Sequence, residues 1–234
     1  MTTRLVLENG TPLQMAGDAT SLRALVVLQE AFGVNEHIRR LVDSFAREGF
    51  FVVAPELFHR TGSPEIAYDS FPDAMASLAT LNASGLSEDL TATTSYLVGA
   101  GFPTASIAVV GYCMGGSVAF YAATLGIVGA ATSFYGGGVE HGRFGLAPLV
   151  ALAPSLKAPW LGLYGDLDKG IPVEQVESLR AATQTAPVPT DIVRYPNADH
   201  GFNCDARPAV FNAVAAKDAT ERVLAFFSTH LLDR

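Results

Sequence analysis

The chain has 234 residues and a formal net charge of −8; 49% of its residues are hydrophobic and 16% are charged. That length and apolar share supply one sizeable core and exclude a disordered chain. The acidic balance opposes binding to nucleic acid or an anionic membrane, both of which need a basic face, and leaves small molecules as the expected partners.

No apolar run approaches the roughly 18 to 20 residues that span a bilayer. Residues 1–10 alternate polar and apolar positions and lack the apolar segment of a secretion signal, so a cytoplasmic protein is expected. Residues 5–7 read as an antiparallel edge strand. Strands are then predicted at 22–28, 50–54, 106–110, 130–135, 160–164 and 190–195, each an apolar, β-branched run bounded by turn residues. Helices are predicted between them at 35–48, 85–99, 114–125, 173–183 and 209–231. Residues 62–83, interrupted by Pro64 and Pro72, read as short helices lining a site, and the proline-rich stretch 146–159 reads as a connection within the sheet. Strand and helix alternation of this kind predicts an α/β fold with a mostly parallel central sheet and helices on both faces, organised as a single domain over 1–234.

The chemistry is concentrated at the end of the strand 106–110. The sequence Gly111-Tyr112-Cys113-Met114-Gly115-Gly116 carries a buried strand through a tight turn into a helix. A Gly-x-Cys-x-Gly turn in that context is a nucleophile elbow: the central residue is forced into strained backbone geometry, and glycines on either side avoid collisions. Cys113 is then the nucleophile. The adjoining helix N-terminus favours its thiolate and aims the Met114 N–H at a developing oxyanion.

A thiol nucleophile needs a base. His37 and His230 fall within predicted helices, and His59 and His141 fall in loops without a clear partner; all four read as surface residues. His200 follows the last strand on a loop at its carboxyl end, where open α/β sheets build their sites. The acid belongs on the preceding loop, Gly165-Asp166-Leu167-Asp168-Lys169-Gly170-Ile171-Pro172, and spacing alone admits either Asp166 or Asp168. Either aspartate completes the nucleophile, acid, histidine order of the α/β-hydrolase fold.

With these residues assembled, the chain resembles the dienelactone hydrolase (carboxymethylenebutenolidase) family. The likeness runs from about residue 22 to 232 and is carried by Gln29-Glu30-Ala31-Phe32-Gly33, Val53-Ala54-Pro55-Glu56-Leu57, the elbow, the 165–172 loop, and Tyr195-Pro196-Asn197-Ala198-Asp199-His200-Gly201-Phe202. It implies an α/β-hydrolase fold and cleavage of an ester or lactone through a thioester on Cys113. It also implies Asp168 as the acid, Glu30 beside the thiol as an activating carboxylate, and the Ala31 N–H as the second oxyanion donor. The family grips a substrate carboxylate with arginines, one of them four residues beyond the catalytic histidine. Here that position is Cys204, and residues 61–100 contain no arginine, which leaves Arg60 and Arg207 as substitutes. Phe32, Tyr135 and Phe202 are expected to wall the pocket, with Tyr68 a further candidate. No cofactor or metal is expected, because dinucleotide glycine fingerprints and paired His or Cys ligand spacings are absent from the sequence. Two alternatives share these residues: a general carboxylesterase or acyl-transferring relative, and a ligand-binding member that keeps the fold without turnover.

Overall fold

The computed structural model describes residues 2–234. At one edge β1 (Thr3–Val6) and β2 (Pro12–Ala16) form an antiparallel pair, and β2 continues antiparallel against β4 (Phe50–Pro55). The remaining strands, β3 (Arg23–Leu28), β5 (Ile107–Tyr112), β6 (Ala130–Phe134), β7 (Trp160–Gly165) and β8 (Thr190–Tyr195), all run parallel. The spatial order is β1-β2-β4-β3-β5-β6-β7-β8. This is the α/β-hydrolase fold.

Every residue of β4, β5, β6 and β7 is buried, as is all of β3 beyond Arg23. Strands covered on both faces have no polar face to present, which is why these segments read as continuous apolar runs. β1, by contrast, is exposed along its whole length. The covering helices are α1 (Glu36–Arg47), α2 (Phe71–Leu78), α3 (Ala83–Gly99), α4 (Met114–Leu125), α5 (Leu149–Leu152), α6 (Val173–Thr183) and α7 (Ala213–His230).

Helix starts follow side-chain caps. The Asn35 carboxamide accepts from the Ile38 N–H, Asn82 from Gly85, and Asn212 from Ala215, each satisfying a donor that the first helical turn leaves unpaired. Asn212 also explains why α7 begins four residues later than the predicted 209: residues 201–212 form consecutive turns, and the cap sits at their end. The predicted edge strand at 5–7 is observed one to two residues earlier, and its partner β2 had not been anticipated. The stretch 62–83 contains α2 among turns, and 146–159 contains α5 and a short 3-10 turn. Among the described residues no helix is long and apolar enough to cross a membrane.

The carboxyl ends of β3, β5, β6, β7 and β8 lie along one edge of the sheet, and the loops leaving them carry Glu30, Cys113, Tyr135, Asp168 and His200 in turn.

Candidate active site

Between β5 and α4 the backbone of Cys113 has φ 55° and ψ −116°. A non-glycine residue on the positive-φ side is strained and persists only where its surroundings over-determine it. Here the Cys113 N–H donates to the Phe134 carbonyl at 3.0 Å, and its own carbonyl accepts from Gly116 N–H at 3.0 Å. The Gly115 N–H donates to the Gln29 carbonyl at 3.1 Å, tying the elbow to the loop after β3. The glycines are sterically required. A Cβ at Gly111 would overlap the Gly115 carbonyl, one at Gly115 would stand 2.5 Å from the Leu28 carbonyl oxygen, and one at Gly116 would stand 2.7 Å from that of Phe134.

The Cys113 side chain is partly exposed and neighbours the His200 imidazole. On the far side of the ring, His200 Nδ1 lies 2.6 Å from Asp168 Oδ2. Asp168 is itself fixed, because its Oδ1 accepts from the Gly170 N–H at 2.8 Å and the Ile171 N–H at 3.1 Å. Asp166 is committed elsewhere: both its oxygens bind the Arg194 guanidinium at 2.8 Å. Of the two aspartates on this loop, Asp168 therefore reaches the histidine. Burial of the His200 ring disfavours its charged form. The neighbouring Cys113 sulfur and the hydrogen bond to Asp168 outweigh that effect and hold its pKa well above the ordinary histidine value.

Glu30, 1% exposed, follows β3 as a buried carboxylate. It accepts from the Tyr135 hydroxyl on Oε1 and the Tyr68 hydroxyl on Oε2, each at 3.4 Å. The Tyr68 oxygen in turn accepts from Asn35 Nδ2 at 3.1 Å and from the Cys204 thiol at 3.3 Å. Burial and then the Glu30 charge push both phenols far above the usual tyrosine range, so they remain donors. The side-chain hydrogen bonds of Glu30 thus go to the two tyrosines, while Cys113 neighbours His200. The Tyr135 ring bridges the two groups, packing 5.0 Å from the His200 ring centroid and 5.4 Å from that of Phe202.

Comparison with known proteins decides the relationship. A sequence model of the Dienelactone hydrolase family matches residues 13–231. The chain belongs to the dienelactone hydrolase family. An Escherichia coli O157:H7 protein with the provisional name carboxymethylenebutenolidase is 37% identical over 213 residues, covering 89% of this chain and 78% of the relative. A Synechocystis protein with the same provisional name is 33% identical, covering 88% and 86%. A Klebsiella pneumoniae crystal structure, provisionally described as a dienelactone hydrolase, superposes with a TM-score of 0.88 at 34% identity, covering 98% of this chain and 99% of the other. The protein is a hydrolase of the dienelactone hydrolase type.

Several residues of this dienelactone hydrolase relative are placed differently from the sequence expectation. Arg60, expected to meet a substrate carboxylate, instead binds buried Asp89 at 2.8 and 3.0 Å and Glu88 at 3.3 Å. A guanidinium spent on a fully buried carboxylate is a structural cation. Arg207 lies over the Phe32 and Tyr68 rings, 5.8 Å from each centroid, and against Gly201 beside His200. Phe32 packs on Tyr68 at 4.6 Å, while Phe202 is wholly buried beneath Tyr135. Ala31 is buried in the loop after β3, and Met114 opens α4, where backbone N–H groups lack intrahelical partners.

Two histidines assigned to the surface are not there. His59 bonds Asp89 at 3.1 Å, and His37 is 3% exposed, with Nδ1 3.1 Å from Asp205 Oδ1. His37 lies four residues before Leu41 and eight before Phe45, on the buried side of α1. That helical spacing was the signal for its burial.

Proposed function

We propose that the protein hydrolyses an ester or lactone by way of a thioester on Cys113, with His200 as base and acid and Asp168 orienting the ring. The observation that carries this reading is the His200–Asp168 hydrogen bond with Cys113 neighbouring the ring, the sulfur standing on a strained elbow at the sheet's carboxyl edge. The Cys113 thiolate adds to the substrate carbonyl, and the oxyanion is received by the Met114 and Ala31 N–H groups. Collapse of the adduct breaks the carbon–oxygen bond, and protonated His200 gives its proton to the departing alkoxide. His200 then takes a proton from water, hydroxide adds to the thioester, and the sulfur leaves to regenerate the enzyme. The raised His200 pKa suits a ring that must hold a proton beside sulfur until the leaving group needs it.

In this reading Glu30 acts from beneath the site as the activating carboxylate, coupled to the reacting groups through Tyr135. Of the expected pocket aromatics, partly exposed Tyr68 is the one that can face substrate; Phe32, Tyr135 and Phe202 are buried and support the site from behind. Arg207 is the cation available to a carboxylate on the substrate.

The decisive experiment is hydrolysis of a nitrophenyl ester by Cys113→Ala, coupled to mass spectrometry of the wild-type protein quenched during turnover. Loss of turnover together with an acyl adduct on the peptide containing Cys113 is expected. Full activity of Cys113→Ala refutes the mechanism. A second reading, that the natural substrate is an uncharged ester, is favoured by Cys204 at the expected arginine position and by the commitment of Arg60 to Asp89. A kcat/KM ratio near one for esters with and without a carboxylate selects it.

A further inference from the structure

We propose that Glu30, His37 and Cys204 form a buried binding site for a divalent cation of the zinc class. A carboxylate oxygen of Glu30, an imidazole nitrogen of His37 and the Cys204 sulfur all lie within 4.8 Å of one another, and all three residues are buried. Around a tetrahedral zinc ion such donors stand about 3.5 Å apart, so closure by roughly 1 Å assembles three ligands. The sequence shows no spacing signature because the donors come from three separate segments: the loop after β3, the start of α1, and the turns before α7.

An independent observation points to a ligand. His37 Nε2 is buried without a hydrogen-bond partner, an unusual and costly state for a ring nitrogen. Its other nitrogen is held by the Asp205 carboxylate at 3.1 Å. A carboxylate on Nδ1 fixes the tautomer that leaves the Nε2 lone pair free, the outer-sphere arrangement common to histidines that bind metals. His37 and Asp205 also line a cleft of about 600 Å3, together with Arg40 and Asn203, which supplies a route in from solvent.

Charge and donor type select the cation. Thiolate, carboxylate and neutral imidazole sum to −2, so a divalent ion leaves the buried cluster neutral, and the mixed sulfur, nitrogen and oxygen set suits zinc over magnesium or calcium. A thiol ligates a cation as thiolate, so uptake at Cys204 releases a proton.

The test uses cobalt(II) as a spectroscopic stand-in for zinc on chelator-treated full-length protein. One equivalent is expected to produce a thiolate-to-cobalt charge-transfer band in the near ultraviolet, reversed by zinc. Cys204→Ser is expected to abolish the band and His37→Gln to abolish saturable binding, whereas Asp205→Asn weakens affinity by about 10- to 100-fold. Cys113→Ser must retain it. The protein has two cysteines, so a band in Cys113→Ser can come from Cys204 alone, whether or not Cys204→Ser folds. Absence of a saturable band in Cys113→Ser overturns the proposal. Because the band is read without substrate or turnover and in a protein lacking the Cys113 thiol, this outcome is independent of the hydrolytic reading.

Discussion

Replacing Asp168 by asparagine isolates its charge from its structural duties. The Asn Oδ1 still accepts from the Gly170 and Ile171 N–H groups, which otherwise lose an acceptor at about 1–3 kcal/mol each. What changes is the 2.6 Å contact with His200. Loss of a charge-assisted hydrogen bond removes about 1.5–3 kcal/mol from the imidazolium, which is about 10- to 150-fold in rate. The Asn Nδ2 also donates to Nδ1 and drives the ring proton to Nε2, where the ring can no longer accept the thiol proton; the same swap in serine enzymes costs about 10^4-fold. Asp168→Asn is therefore expected to lower kcat/KM for a nitrophenyl ester by about 10^2- to 10^4-fold at unchanged thermal stability. Asp166→Asn is expected to change it less than about threefold, since its partner is Arg194. Activity of Asp168→Asn above one third of wild type, or greater damage from Asp166→Asn, refutes the assignment.

Arg60→Ala leaves Asp89 buried with only His59 and Thr11, and is expected to cost about 3 kcal/mol in urea unfolding while kcat/KM stays within about twofold. Gly115→Ala drives a methyl group into the Leu28 and Gln29 carbonyls and is expected to lower stability by about 3 kcal/mol, a fall in Tm of about 6–12 °C by calorimetry. The pH dependence follows from His200, whose folded pKa is raised. The stability its protonated form contributes is complete below the unfolded value of about 6.5 and is lost as pH rises through the folded one. The difference in unfolding free energy between wild type and His200→Gln should therefore be constant in mild acid and shrink toward alkaline pH, as read from urea titrations. A difference that grows with pH contradicts the raised value.

The central strands were legible because burial on both faces leaves one kind of residue to choose from, and the elbow was legible because backbone contacts at Gly111, Gly115 and Gly116 admit no side chain. The strand β2 escaped notice for the converse reason. It begins with Pro12, carries Gln14 and lies beside the edge, where neither an apolar run nor clean alternation is enforced. The choice between Asp166 and Asp168 could not be read from one loop, since it depends on Arg194 arriving from β8. Arg60 and His59 were misjudged for a related reason: their partner Asp89 lies on α3, some thirty residues away, and a buried carboxylate in a helix looks like any solvated one in the sequence.

The strain at Cys113 belongs to the position more than to the side chain. The restraints that hold its backbone run through its peptide N–H, its carbonyl and the neighbouring glycines. Sulfur and oxygen are therefore interchangeable there as far as the scaffold is concerned, and a single-atom exchange tests thiol against alkoxide chemistry on an unaltered frame. A lineage built on such a turn could trade one reactive element for the other without first solving the folding problem again.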